Sequence, residues 1–406
     1  MKRLFRVSID IFSSSIMPIL SFILLSLIFD NRLINLFSLT YPLQCIEGII
    51  ISIFGVGANI CKYKENKTSM DDNGILYGSI ITIIITLLFI FFRNEYIAFM
   101  NLNCYIYNVF YIYSVLQIFL RTILELVLNK LYYTEQNKKA NKITVVFNIS
   151  YIVLTFILAV ISKNELITMS FTSLTMILFL IYVVVKNISK IDFKFNIIKC
   201  LKYDSVSFIS NVFYFIIYFF GFSNAFVYGE EYVLAISFVS IVTDIQWDID
   251  GSVKTVAKID IAKNNFNYNY HLKNAYILTL FLILSVIFMS VLLYPIYNPN
   301  INIILIFLSL HILDFLITPL NSIKLCILQL EYSKIKTNIN NFISYLMRTI
   351  ISNLPTPFAV IIGQIASTSY DFVFTQFMYF KYKKNKSSKD MLVLCQIVLV
   401  DNKFDK

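Results

Sequence analysis

Runs of roughly 20 predominantly apolar residues, the length that crosses the ~30 Å hydrocarbon core of a bilayer, recur along this 406-residue chain. They fall near 8–29, 40–61, 75–92, 106–129, 143–162, 165–186, 203–222, 225–247, 274–295, 301–328, 337–354 and 357–380. No intervening segment exceeds about 25 residues, so no sizeable domain can fold outside the membrane. Only 14% of residues are charged, where a soluble domain has about 25%. The sequence therefore predicts an all-α, polytopic membrane protein of about 12 transmembrane helices. Pro355 and Pro357 break the region between the last two spans, and Asp244 and Asp248 dilute the eighth. Pro18, Pro42 and Pro319 can kink the first, second and tenth spans. The apolar stretch after Met1, Lys2 and Arg3 is too long for a secretory leader, and a retained first helix is expected.

Orientation follows from the lysines and arginines, which stay on the cytoplasmic side. They gather at Lys2, Arg3 and Arg6; at Lys62, Lys64 and Lys67; at Lys138, Lys139 and Lys142; and from Lys186 to Lys202. The series continues at Lys254, Lys258, Lys263 and Lys273, at Lys334 and Lys336, and from Lys381 to Lys389, whereas the alternate loops hold only Arg32, Arg93 and Lys163. Every second loop is basic. Both termini are expected in the cytoplasm of a cell with the chain in its inner (plasma) membrane, and the span number is expected to be even.

The net charge of +10 is parcelled out between apolar segments and forms no single basic face, so no nucleic-acid partner is expected. Cys45, Cys61, Cys104, Cys200, Cys326 and Cys395 lie singly, with neither disulfide nor zinc spacing. Neither a metal nor a cofactor is expected. The chain lacks a GxxxxGK[ST] phosphate loop, which excludes ATP hydrolysis by that device.

Two features of the first half recur in the second at an offset near 200 residues. Gly55 to Lys62 is echoed by Gly251 to Lys258, and Leu131 to Lys138 by Leu330 to Lys336. With the loop charges, this predicts two pseudo-symmetric six-helix bundles, 1–190 and 191–386, followed by a cytoplasmic tail, 387–406. The plan resembles the multidrug and toxin extrusion (MATE) family, within the wider group that also holds lipid-linked oligosaccharide flippases. The residues that carry the resemblance are the glycine-bearing end of the second span (Gly55, Gly57), its counterpart at Gly251, and the polar turns after the fourth and tenth spans (Tyr133 to Asn141, Tyr332 to Asn338). It implies a central cleft, alternating access and coupling to entry of Na+ or H+. It also implies that Asp314, in the tenth span, matches an acidic residue implicated in coupling; the seventh span offers Ser210 and Asn211 where another acid is expected, and Asp30 stands out of register for the first.

An ionisable side chain at mid-bilayer costs at least about 2.5–3.5 kcal/mol, so each needs a partner or a wet cavity. The candidates are Glu47 in the second span, Arg121 and Glu125 in the fourth, Asp244 and Asp248 in the eighth, His311, Asp314 and Lys324 in the tenth, Arg348 in the eleventh and Asp371 in the twelfth. Arg121 and Glu125, four apart, share a helix face either as a structural ion pair or as a polar patch on a cleft. His311 and Asp314, three apart, read either as a proton-loading pair or as interhelical hydrogen-bonding residues. Asp314, His311, Glu47, Arg121, Glu125 and Asp244 are the candidates for ion coupling or transport.

The leading expectation is a bacterial secondary antiporter, monomeric, that exports amphipathic or cationic small molecules. Flipping of a lipid-linked saccharide is the alternative, favoured if Arg121, Lys324 and Arg348 face the cleft, whereas dominance of Glu47 and Asp314 favours cation export. A membrane enzyme acting on lipid-linked sugars is the weakest reading, because the chain has two histidines and short loops.

Overall fold

The computed structural model describes residues 19–65, 69–134, 136–262 and 266–401. The opening of the first predicted span, with Pro18, and the basic residues Lys2, Arg3, Arg6, Lys67 and Lys263 lie outside the described residues. The side chains of Lys64, Asp248, Lys258, Lys334 and those beyond residue 384 do so too. The described residues contain helices and no strands.

In chain order the helices are α1 (Ile19–Ile28), α2 (Asn35–Ile50), α3 (Ala58–Glu65), α4 (Met70–Phe91), α5 (Arg93–Phe99), α6 (Cys104–Tyr133), α7 (Asn137–Ser162), α8 (Glu165–Asn187), α9 (Ile197–Tyr203), α10 (Ser205–Phe226), α11 (Glu230–Thr243), α12 (Ile245–Ala262), α13 (Tyr268–Tyr297), α14 (Ile301–Ile327), α15 (Lys334–Ser352) and α16 (Ala359–Asp401). Each of the twelve apolar runs overlaps one of these helices or a consecutive pair. Eight helices, among the described residues, are long and apolar enough to cross a membrane. The eighth predicted span is split at Asp244 into α11 and α12, and the Pro355–Pro357 region separates α15 from α16, as the sequence predicts. Pro42 and Pro319 lie within α2 and α14; Pro295, inside α13, joins them.

Local signals explain where helices start and stop. The side chains of Asn103, Asn164, Asn196, Asn267 and Asn300 each accept a hydrogen bond from a first-turn backbone N–H, and Ser333 caps α15 in the same way. Lys163 and Asn298 end α7 and α13 in left-handed backbone conformations. Within the spans, hydroxyls such as Thr82, Thr86 and Thr172 donate to the carbonyl four residues earlier, which satisfies them without a second helix. Two π-helical stretches interrupt the pattern, Ile51–Gly57 after α2 and Leu328–Tyr332 after α14, both at the end that carries the lysines.

The helix packing repeats. In the first half α4 packs on α6, α6 on α8 and α7 on α8; in the second α13 packs on α14, α14 on α16 and α15 on α16. Between the halves, α2 packs on α10 and α11. Gly48 lets α2 and α10 approach closely: a Cβ there would lie 2.6 Å from the Asn211 side chain. At the opposite end from the lysines, Phe99 stacks on Phe219 at 4.5 Å, and Asn101 donates to the Ser223 carbonyl at 3.1 Å.

Candidate functional site

A polar cavity of about 280 Å³ lies wholly in the second half, between α10, α12, α14, α15 and α16. It reaches from Asp314, near the middle of α14, and Gln364, in the second turn of α16, to Gln329 and Asn341 at the lysine-bearing end. Asp314, 2% exposed, is the most buried charge along it. One carboxylate oxygen, Oδ2, accepts from the Gln246 and Gln364 amides at 2.7 Å each, whereas Oδ1 has no hydrogen-bond partner in the structure. A buried carboxylate with a spare acceptor in a polar cavity is poised to take one more donor or a cation.

The Gln364 amide joins this acid to a base. Its NH2 faces Asp314, and its carbonyl accepts from the Arg348 guanidinium at 3.2 Å, which also donates to the Tyr218 hydroxyl at 3.1 Å. The guanidinium lies over the Tyr214 and Tyr218 rings, 5.2 and 5.8 Å from their centroids. Two other acids line the same space. Asp250 pairs with Lys254 at 2.5 Å and accepts from Ser322; Asp371 accepts from Asn340 and Ser344 at 2.8 and 2.9 Å. Asp371 and Arg348 were legible as intramembrane charges; Gln246, Gln364, Tyr214 and Tyr345 were not singled out, because a neutral amide or phenol in an apolar run carries no obligatory cost that flags it.

The remaining candidates separate. His311 and Asp314 make no direct hydrogen bond. His311 instead lines a second space of about 50 Å³, with Tyr41, Tyr218 and Asp244, and Gln364 borders both. Asp244 is held there by the Tyr41 hydroxyl at 3.0 Å across the junction of the halves. Asp314 and His311 therefore face different cavities, and they do not form a touching proton-loading pair.

Arg121 and Glu125 share a face with a third charge, Glu47. Arg121 reaches Glu47 on α2 at 3.8 Å, because α2 packs against α6 and brings the two charges together between helices. The space beside them, lined by Gln44 and Gln117, is about 10 Å³, room for about one water. Lys324 does not line the Asp314 cavity; it donates to Gln376 and lies over the Tyr379 and Tyr268 rings. Asp30 caps a short 3-10 turn and pairs with Arg32 at 2.7 Å; Asn211 donates to the Ser207 carbonyl at 3.0 Å.

A further polar cluster went unnoticed in the sequence. Asp72, at the start of α4, accepts from Lys130 at 2.5 Å, from the Lys190 backbone N–H at 3.0 Å and from the Ser189 hydroxyl at 2.8 Å. It ties the segment between α8 and α9 to the lysine-bearing end of the first half. No group of three or more His, Cys, Asp or Glu that could hold a metal ion occurs among the described residues.

No protein-family model matches the sequence, and no curated protein matches it. Solved structures match its fold over nearly the full length. The inward-facing conformation of a multidrug resistance MATE family transporter of the MOP superfamily superposes with a TM-score of 0.66 at 14% identity, covering 95% of this chain and 96% of that one. The outward-facing conformation of such a transporter gives 0.60 at 15% identity, covering 94% and 96%. A MOP superfamily transporter from Pyrococcus furiosus, described by the reverse polarity of its binding pocket, gives 0.62 at 14% identity over 94% and 96%. The chain has the fold of these transporters.

Proposed function

We propose that this chain is a secondary active transporter that exports amphipathic or cationic small molecules by alternating access between two six-helix bundles. The observation that carries the proposal is the position of the Asp314 carboxylate: it is buried in a membrane-spanning helix, keeps one free acceptor, and borders the cavity of about 280 Å³ that extends toward the lysine-bearing end. Transporters with this fold are known in inward- and outward-facing forms. At the end opposite the lysines the halves touch through Phe99 and Phe219 and through Asn101 and Ser223, beside a separate space of about 350 Å³ lined by Arg32, Asn101, Tyr107 and Glu230. With the lysine-bearing end in the cytoplasm, the Asp314 cavity extends toward the cytoplasmic side. The coupling ion is H+ or Na+, and Asp314 is the residue it engages, with the membrane potential adding about 2.3 kcal/mol per charge per 100 mV.

The alternative, movement of a lipid-linked saccharide, has one observation in its favour: Arg348 lines the cavity. Arg121 and Lys324, the other two cations that reading requires, do not. Lys254 is there but is engaged by Asp250. The balance of charge along the cavity wall, three carboxylates to two cations, favours a cationic substrate.

The test is efflux of ethidium from vesicles carrying the wild type or Asp314→Asn, with the proton and sodium gradients collapsed in turn. Gradient-dependent efflux that the substitution abolishes is expected. Efflux indifferent to both gradients would overturn the antiporter reading.

A further inference from the structure

The segment that joins the two halves, residues 188–203, is fastened to the first half along its length. Besides the Asp72 contacts, Asp192 accepts from the Ser69 hydroxyl at 2.5 Å and from the Asn73 amide, which also donates to the Lys194 carbonyl at 3.0 Å. The Tyr77 hydroxyl donates to the Phe193 carbonyl at 3.0 Å, and Phe195 stacks on Phe54 at 5.3 Å. A strand of chain so held could hide its apolar side chains, yet it does the opposite. Phe193 is 70% exposed and Ile198 80% exposed, with Ile191 and Ile197 exposed beside them.

Three features say what these side chains meet. Phe193 adopts φ +57, a left-handed conformation unusual for a bulky residue, and its neighbours' hydrogen bonds hold it so that the ring stands outward. Tyr77, which grips it, lies one turn before Ile80, where the exposed apolar flank of α4 begins and continues through Ile83, Ile84 and Leu87. The exposed segment is therefore continuous with the lipid-facing belt. In α9, Cys200 is buried toward Gly57, where a Cβ would lie 2.5 Å from the Cys200 carbonyl; helical spacing sets Ile198 and Lys202 on the opposite side. Lys190, Lys194, Lys199 and Lys202 interleave with the apolar side chains, while the carboxylate of Asp192 is occupied by Ser69 and Asn73.

We infer that residues 190–202 are a membrane-surface anchor: Phe193 and Ile198 enter the interface and the lysines bind the headgroups of anionic phospholipids. Lysine at an anionic leaflet strengthens such binding about fivefold per charge, and the interleaved aromatic and aliphatic side chains supply the apolar share. Because the segment is fastened through Asp72 and Asp192 to α4, the anchor belongs to the first half, and the second half moves against it from the bend at Asp204, between α9 and α10.

The test uses the full chain in nanodiscs of phosphatidylcholine with or without phosphatidylglycerol. The single native tryptophan is removed as Trp247→Phe and a reporter introduced as Phe193→Trp or, independently, Ile198→Trp. Brominated phospholipid is expected to quench both reporters. Brominated phosphatidylglycerol should quench at least twofold more strongly than brominated phosphatidylcholine, and Lys190→Gln/Lys194→Gln/Lys202→Gln should abolish that preference. Reporters that are quenched by aqueous iodide, and are indifferent to brominated lipid in both discs, would overturn the inference and leave the face to a soluble partner. Quenching without any headgroup preference would overturn its anionic part. Having two reporters keeps the test informative if one variant fails to fold.

Discussion

Replacing Gln364 by leucine, nearly the same in volume, removes the amide that bridges Asp314 and Arg348. The loss comprises one hydrogen bond to a buried carboxylate and one from a buried guanidinium, at 2.7 and 3.2 Å. Bonds to charged groups contribute about 1.5–3 kcal/mol each, so Gln364→Leu should destabilise the protein by about 3–6 kcal/mol. Gln246→Leu, which removes only the bond to Asp314, should cost about half as much. Neutral hydrogen bonds between membrane helices average only about 0.6 kcal/mol, so the size of the effect tells charged bonds from neutral ones. The buried thiols of Cys45, Cys61, Cys200 and Cys326 suit a thermal assay with a thiol-reactive dye, in which Gln364→Leu should lower the midpoint by on the order of 10 °C. In an Asp314→Asn background the cost should shrink by at least about 1 kcal/mol, because the bond to a charge no longer exists to be lost. A cost under about 1 kcal/mol, or one unchanged in that background, would refute the bridge.

Lys130→Met should destabilise by about 3 kcal/mol, at the low end for breaking a buried pair because Asp72 keeps the Ser189 and Lys190 donors; chemical denaturation in nanodiscs measures it. Gly57→Ala forces its Cβ against the Cys200 carbonyl and should cost about 1–3 kcal/mol, with faster hydrogen exchange across α9 as the readout. Asp192 is held near pKa 2 by the Ser69 hydroxyl first, then by the Asn73 amide and the Lys194 backbone N–H. With the folded pKa depressed, its contribution is complete above about pH 4 and fades as pH falls toward 2, so pepsin should cut near Phe193 at pH 2 but far more slowly at pH 4. Asp192→Asn should flatten that difference.

The spans were legible because a bilayer forces one apolar run per helix, and the helix starts because asparagine before an apolar run is a strong N-cap. Asp244 and the Pro355–Pro357 pair marked breaks for the same local reasons. Partner choice was not legible. Arg121 sits one turn from Glu125 in the sequence yet reaches Glu47, since the packing of α2 on α6 is a tertiary fact that helical spacing does not encode. Asp314 stood out as a charge in an apolar helix, whereas Gln246 and Gln364, which hold it, come from distant segments and look like ordinary polar residues. The fastening of 188–196 joins residues more than 110 positions apart, so nothing local announces that Asp72 and Asn73 have partners.

Accessibility of the cavity from each side of the membrane tests alternating access most directly. Thr368 lines the cavity on α16, and Thr368→Cys in oriented vesicles can be challenged with an impermeant maleimide from either side. Modification from the lysine-bearing side at rest, and from the opposite side once an inward ion gradient and substrate are supplied, is the predicted result. Modification from one side alone under every gradient would contradict it.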